Sequence, residues 1–332
     1  MFITDNCQLK CKQCFYKPAL RQGHELSPQK IKNLIDAFTG LDASRMALMG
    51  GEPSLYDKRN NGEGLLEVIE YAKTHGINAL KMDTNGQNLD ALFADSRFKL
   101  LNELIFSIDG PDAKTSEAIR LGSSFNKSIA NLERAKKEGM TTQITSCVGK
   151  LEDGKYIEHI DGMIKLAREM GVDALNFHPL LRQGIEQDKW NENTDIDLAT
   201  WHTIFKHYKD FKDPNLVLRM SERAILSDDI TERQSDFCFT KDHSRLSLEV
   251  DGNIRACPLS HCTNRTIGHY DAASEHISSP VKNNEAEIVA SIKKKGCVLQ
   301  TLPEQEFSPL CLSYKEANFV DNEYRGGIVK GN

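Results

Sequence analysis

Apolar positions between residues 27 and 180 follow two alternating rhythms. In SPQKIKNLIDAFTGL at 27–41 they return every three or four residues, which predicts an amphipathic helix. Ser27 stands where an N-cap belongs, and Pro28 at the first helical position. GLLEVIEYAKTHG at 64–76 places Leu65, Leu66, Ile69 and Ala72 on one helical face and stops at Gly76. FNKSIANLERAKKEG at 125–139 and YIEHIDGMIKLAREMG at 156–171 repeat that pattern. Between these helices lie short apolar runs ending in turn residues. They are RMALMG at 45–50, INALKMDTNG at 77–86, NELIFSIDG at 102–110, MTTQITSCV at 140–148 and VDALNFHPL at 172–180. With the short segment before residue 7, they predict six strands in about 180 residues.

Strands that alternate with helices build a parallel sheet covered by helices. Six βα units make three quarters of an eight-unit barrel, so the expected fold is α/β, a partial (β/α)6 TIM-like barrel. Residues 195–230 read as helical and linking. The texture then changes. RLSLEVDGNIRACPL at 245–259 alternates on both sides of Asp251-Gly252, a hairpin signal. A helix is expected over 285–295, and the tail from 296 to 332 is loop-rich. The expected division is a barrel over 1–230 and a small hairpin-plus-helix domain over 231–332.

Composition narrows the class. The chain has 332 residues, 39% of them hydrophobic and 27% charged, and a net charge of −6. That balance is ordinary for a globular protein, and it argues against a basic nucleic-acid surface. No run of eighteen apolar residues predicts a membrane span, and residues 1–20 hold no signal-peptide core, so a cytoplasmic location is expected. Nine cysteines are unusual for such a compartment. Eight of them cluster towards the two ends of the chain, which points to metal or cluster ligation.

The sequence CQLKCKQC carries Cys7, Cys11 and Cys14 just after the first strand. Three thiolates leave one iron of a four-iron cluster open to a ligand. The alternative is a zinc knuckle completed by His24 or a distant cysteine. The CX3CX2C spacing, with Phe15 next, resembles the signature of the radical S-adenosylmethionine (SAM) family. Gly50, Gly51, Glu52 and Pro53 after the second strand resemble that family's GGEP motif, whose backbone receives the SAM amino group.

The resemblance implies an enzyme that holds a [4Fe-4S] cluster on Cys7, Cys11 and Cys14 and cleaves SAM to a 5′-deoxyadenosyl radical. That radical would take a hydrogen atom from a substrate. By position, Thr84 and Asn85 line the third strand's end, and Ser107 and Asp109 the fourth. Arg120 resembles an arginine that pairs with the SAM carboxylate. His178 ends the sixth strand, where it faces substrate or serves the structure, and Cys147 reads as a small core residue.

Cys238, Gly252 and Cys257 resemble the start of a SPASM or twitch auxiliary-cluster region. The dense cysteine stretch of a full SPASM domain is missing, so one auxiliary [4Fe-4S] cluster is expected, on Cys238, Cys257, Cys297 and Cys311. Cys262 is an alternative to Cys297, a structural thiol, or a hydrogen donor to a substrate radical. A zinc site at these cysteines is the alternative. The resemblance further implies an electron donor such as flavodoxin or ferredoxin. The substrate reading is a ribosomal peptide to be oxidised, crosslinked or epimerised. The alternative is a small molecule, an aminosugar or nucleoside type, for a dehydrogenase or epimerase. Six residues precede Cys7, so no leader-binding domain is expected before the barrel. A non-catalytic iron–sulfur carrier or zinc protein is the remaining class.

Overall fold

The structure is a computed structural model that describes residues 1–14, 16, 19–151, 153–180, 196, 198–221, 246–255, 266, 268–271, 276–278 and 314–316. Its main element is an eight-stranded sheet of order β1-β2-β3-β4-β5-β6-β7-β12. The first six strands are β1 (Phe2–Thr4), β2 (Arg45–Gly50), β3 (Ala79–Thr84), β4 (Glu103–Ser107), β5 (Thr141–Val148) and β6 (Ala174–Pro179). All pair in parallel, as the expected α/β partial barrel requires. The intervening helices are α1 (Pro28–Thr39), α2 (Glu63–Thr74), α3 (Asp90–Phe93), α4 (Ala113–Ile119), α5 (Phe125–Lys137) and α6 (Tyr156–Glu169). Ser27 caps α1 as expected, its side chain accepting from the Lys30 amide with Pro28 in the first turn.

Two strands of this sheet were not foreseen. The segment read as helical and linking carries α7 (Leu198–Tyr208), as expected, and then β7 (Val217–Ser221), which continues the sheet in parallel beside β6. Leu216, Leu218 and Met220 alternate and are buried, while Arg219 between them breaks the run into something too short to read as a strand. From the loop-rich tail, β12 (Tyr314–Glu316) pairs antiparallel with β7. Pairing across more than ninety residues leaves no local signal.

A second, antiparallel sheet has the order β11-β10-β9-β8. It contains β8 (Ser247–Leu248), β9 (Asn253–Arg255), β10 (Gly268–Asp271) and β11 (His276–Ser278). The β8–β9 hairpin turns at Asp251-Gly252 as read, with Gly252 at φ +90°, in the left-handed region that glycine enters without cost. Glu249 and Arg255 form a buried pair at 2.6 Å across it. The helix expected over 285–295, the boundary near 230, and Phe15, Cys238, Cys257, Cys262, Cys297 and Cys311 lie outside the described residues.

The core lies between the sheet and its helices. Leu80 and Met82 of β3, Leu104 and Phe106 of β4, Leu175 and Phe177 of β6, and Leu218 and Met220 of β7 share one face by register. That face packs with Ile69 of α2, Leu132 of α5 and Ile164 of α6 in one apolar cluster. By the same register, Lys81, Asp83, Glu103, Ser107, Gln143, Thr145, Cys147, Asn176, His178 and Arg219 share the other face. The inner wall of this barrel is therefore polar where an ordinary one is apolar. Gln143 joins neighbouring strands there, donating to Glu103 and accepting from Asn176 and, at 3.1 Å, from Arg219.

Candidate active site

The cysteine, GGEP, TNG and SIDG motifs fall at or just after the C-terminal ends of β1, β2, β3 and β4, the functional edge of a parallel α/β sheet. The cysteine loop leaves β1 and is held from several sides. Lys10 N–H donates to the Leu121 carbonyl (2.9 Å) and Lys12 N–H to the Ile119 carbonyl (3.0 Å). Arg21 donates to the Cys7 carbonyl (3.1 Å) and to the Leu9 carbonyl. Leu9 is buried between two partly exposed cysteines.

Two side-chain amides inside the loop complete the tether. Gln8 and Asn85 exchange hydrogen bonds at 3.1 and 3.3 Å, which ties the loop to the end of β3. Gln13 is 8% exposed and donates to Asp109 Oδ2, which ties the loop to the end of β4. The carboxylate decides which end of that amide faces it, so Gln13 Oε1 must point away. That oxygen is buried without a donor. Sequence reasoning passed over both glutamines, because polar residues between cysteines carry no periodic signal.

Burial pushes the Cys7 thiol up to about 12, helped by the Glu52 charge and the neighbouring cysteines. It pushes Cys14 up to about 11 and raises Cys11 as well. Such thiols stay protonated unless a cation takes the place of the proton. Among the described residues, no three His, Cys, Asp or Glu side chains close around a single metal ion. His24, the fourth ligand of the zinc alternative, is exposed and lies 3.2 Å from Asp5 Oδ2.

Gly50 and Gly51 bring β2 against the emerging β1 chain. A Cβ on Gly50 would run into the Thr4 carbonyl, and one on Gly51 into the Asn6 carbonyl, just before Cys7. The glycines are thus demanded by the chain that carries the cysteine loop. Pro53 opens a short 3-10 turn, Pro53–Leu55, that Glu52 caps. Glu52 is 1% exposed. Its carboxylate accepts from Ser54 N (3.1 Å) and Oγ (2.6 Å), Thr84 Oγ1 (2.7 Å) and Asn85 N (2.7 Å). Burial raises this carboxyl above its ordinary range against the pull of those donors. Thr84 and Asn85 are thus locked to the GGEP turn.

Asp109 is 0% exposed and joins the remaining elements. Its Oδ1 accepts from Cys147 N (2.6 Å), and its Oδ2 lies 2.6 Å from Arg120 Nε. Arg120 stands at the C-terminal end of α4. Burial alone would lower Arg120, but Asp109 first, then Cys11 and Cys147, outweigh it and hold the charge. Cys147, read as a core residue, instead stands partly exposed on the inner face of β5, opposite His178 of β6. Its thiol is raised by burial and by Asp109. Ser107 shares that face in register with Thr145.

Residues 1–164 match the Radical SAM superfamily. Over those residues the chain carries a radical SAM domain. It is therefore an enzyme, and its family works with a [4Fe-4S] cluster and SAM. Among the relatives of this radical SAM chain is the GTP 3′,8-cyclase of Marinobacter nauticus, 25% identical over 265 residues, covering 77% of each protein. Among solved structures, Streptococcus suis SuiB bound to S-adenosylmethionine matches with a TM-score of 0.59 and 14% identity over 87% of this chain. The match covers 62% of that SuiB chain, so this chain spans less than two thirds of its length. Native anSMEcpe with bound AdoMet and Cp18Cys peptide matches with a TM-score of 0.61 and 18% identity, over 93% of this chain and 86% of that one. These structural likenesses are likenesses of fold. Among the described residues, no helix of the radical SAM chain is long and apolar enough to cross a membrane.

Proposed function

We propose that this chain is a radical SAM enzyme that modifies a ribosomal peptide, and that Cys7, Cys11 and Cys14 hold the cluster that cleaves SAM. One observation carries the reading: the three-cysteine loop is tethered by its own glutamines to the ends of β3 and β4. When bound, the cluster and SAM supply a one-electron cleavage that yields a 5′-deoxyadenosyl radical.

The residues present fit that pair of groups. The raised thiols need a cation, and three thiols on one short loop suit a four-iron cluster in which each sulfur takes a different iron. The donorless Gln13 Oε1 fits a ligand that brings ammonium and hydroxyl donors. Gly50, Gly51, Glu52 and Pro53 present backbone groups at that edge, with Thr84, Asn85 and Ser107 beside them. Glu52 holds this turn in place through its four donors. Asp109 holds the loop from below.

Support for a peptide substrate comes from fold. SuiB bound to its precursor peptide SuiA matches with a TM-score of 0.64 over 93% of this chain, and anSMEcpe matches with a peptide bound. The relationship to GTP 3′,8-cyclases favours a second reading, a nucleoside-type small molecule. The polar inner wall suits either, since both offer many hydrogen-bonding groups.

We further propose one auxiliary [4Fe-4S] cluster on Cys238, Cys257, Cys297 and Cys311 in a domain beginning near 231, with Cys262 as a hydrogen donor. A flavodoxin- or ferredoxin-type protein would supply electrons. The test of function is anaerobic turnover of the reconstituted protein with SAM and dithionite, offered candidate precursor peptides or GTP. A mass change in a peptide supports the proposal. Conversion of GTP with no peptide product would replace it with the second reading.

A further inference from the structure

The stretch from Asn6 to His24 carries Lys10, Lys12, Lys17 and Arg21 and no acidic residue, in a chain whose net charge is −6. Lys10 and Lys12 flank Cys11. Burial alternates through the loop: Leu9 and Gln13 are buried, while Lys10 and Lys12 are exposed. Their backbones are fixed, since the Lys10 and Lys12 amides donate to the carbonyls of Leu121 (2.9 Å) and Ile119 (3.0 Å) at the end of α4. Leu121 is itself 42% exposed and adds an apolar element beside them. The ion-paired lysines among the described residues are Lys32, Lys99, Lys136, Lys165 and Lys209, and the two loop lysines are not among them. Arg21, by contrast, commits its guanidinium to the carbonyls of Cys7 and Leu9.

We propose that Lys10, Lys12 and Leu121 form the docking surface for an acidic one-electron carrier protein. The proposal rests on Cys7, Cys11 and Cys14 holding the centre that receives the electron. Each lysine is joined to Cys11 by a single peptide bond, so a carrier seated on them stands beside a ligand of that centre. Two cations on a fixed backbone, in a chain of net negative charge, give an acidic partner a local region of favourable potential. Such a region raises the encounter rate and sets the orientation of docking. The polar inner wall assigned to substrate lies elsewhere, on the faces of β4 to β7. The step served is a single electron transfer. The carrier is oxidised by one electron, the centre is reduced by one, and no bond or proton moves.

The test is isothermal titration calorimetry of the reconstituted protein with an acidic flavodoxin and, separately, an acidic ferredoxin, at low and high salt. The wild type is expected to bind at least one of them, and more weakly as salt rises. Lys10→Glu with Lys12→Glu is expected to weaken that binding by about tenfold or more at low salt. The comparison variant is Lys137→Glu with Lys206→Glu, which makes the same charge change at exposed positions in the last turns of α5 and α7. Those turns lie at the opposite edge of the sheet, because each helix runs back against its strands. This second pair is expected to change binding by less than about threefold. Lys10→Gln with Lys12→Gln is expected to give a smaller loss of the same sign, and it decides the matter where the glutamates prevent iron loading. Equal losses from the two glutamate pairs, no loss from the loop pair, or a wild type that binds neither carrier would overturn the proposal. A wild type that makes no 5′-deoxyadenosine from SAM with dithionite, which needs no carrier, would instead overturn the proposed function, and this inference with it.

Discussion

Asp109 carries three protein partners on one carboxylate and is wholly buried, yet nothing about the tetrapeptide SIDG distinguishes it from a plain turn. Glu52 behaves alike. Glu52→Ala removes the acceptor of four donors, three of them from Thr84, Asn85 and the Ser54 amide. A loss of about 2–4 kcal/mol is expected from the stranded donors and the lost core contact. Denaturant unfolding of the iron-free chain checks this, and a loss under about 0.5 kcal/mol would contradict the bonding described. Gly51→Ala should be worse for iron than for fold, because its Cβ strikes the Asn6 carbonyl next to Cys7. Expected is a chain that folds with less than half the wild-type iron, read by iron and sulfide assay.

The thiols give a pH dependence with a defined sign. Cys7 and Cys14 are raised to about 12 and about 11 from 9.0, so the folded iron-free chain binds protons more tightly than the unfolded one. Their contribution is complete below pH ~9 and is lost as pH rises towards 12. The melting temperature of the iron-free wild type should fall more between pH 8.5 and ~10.5 than that of the Cys7, Cys11 and Cys14 triple alanine variant. At this scale the sequence was partly legible. Cysteine spacing and GGEP name their own chemistry. Gln8, Gln13 and the inward face of Cys147 depend on partners 77, 96 and 38 residues away, which no spacing reveals.

Among elements, the long periodic ones were readable and the short or distant ones were not. α1, α2, α5 and α6 appear where the 3.6-residue rhythm put them, with Ser27 and Ser124 as side-chain caps. β7 was hidden because an inward arginine interrupts five residues, and β12 because its partner is so far along the chain. The helix before β7 offers a test of that extra unit. Trp201 of α7 is 0% exposed. Trp201→Ala should cost about 3–5 kcal/mol, as expected when a large core side chain leaves a cavity. A loss below 1 kcal/mol in denaturant unfolding would show that α7 does not pack on this sheet.

For the whole molecule, the parallel strands of one sheet gather four loops onto one edge, and each loop contributes a different part. The cysteine loop follows β1, the GGEP turn β2, Thr84 and Asn85 β3, and Asp109 β4. Under the proposed function, the polar inner faces of β5 to β7 are the ones left to face the substrate. The proposed second cluster makes a stoichiometric prediction. Reconstituted wild type should hold roughly eight irons per chain, and the Cys238→Ala, Cys311→Ala variant about four. Four in both would remove the auxiliary cluster from the account.

The central claim is that the loop of Cys7, Cys11 and Cys14 performs SAM cleavage. The most direct test is to quantify 5′-deoxyadenosine from anaerobically reconstituted, dithionite-reduced protein supplied with SAM. The account expects steady formation by the wild type and none by the triple alanine variant of those cysteines. Formation by the variant, or none by an iron-loaded wild type, would contradict it.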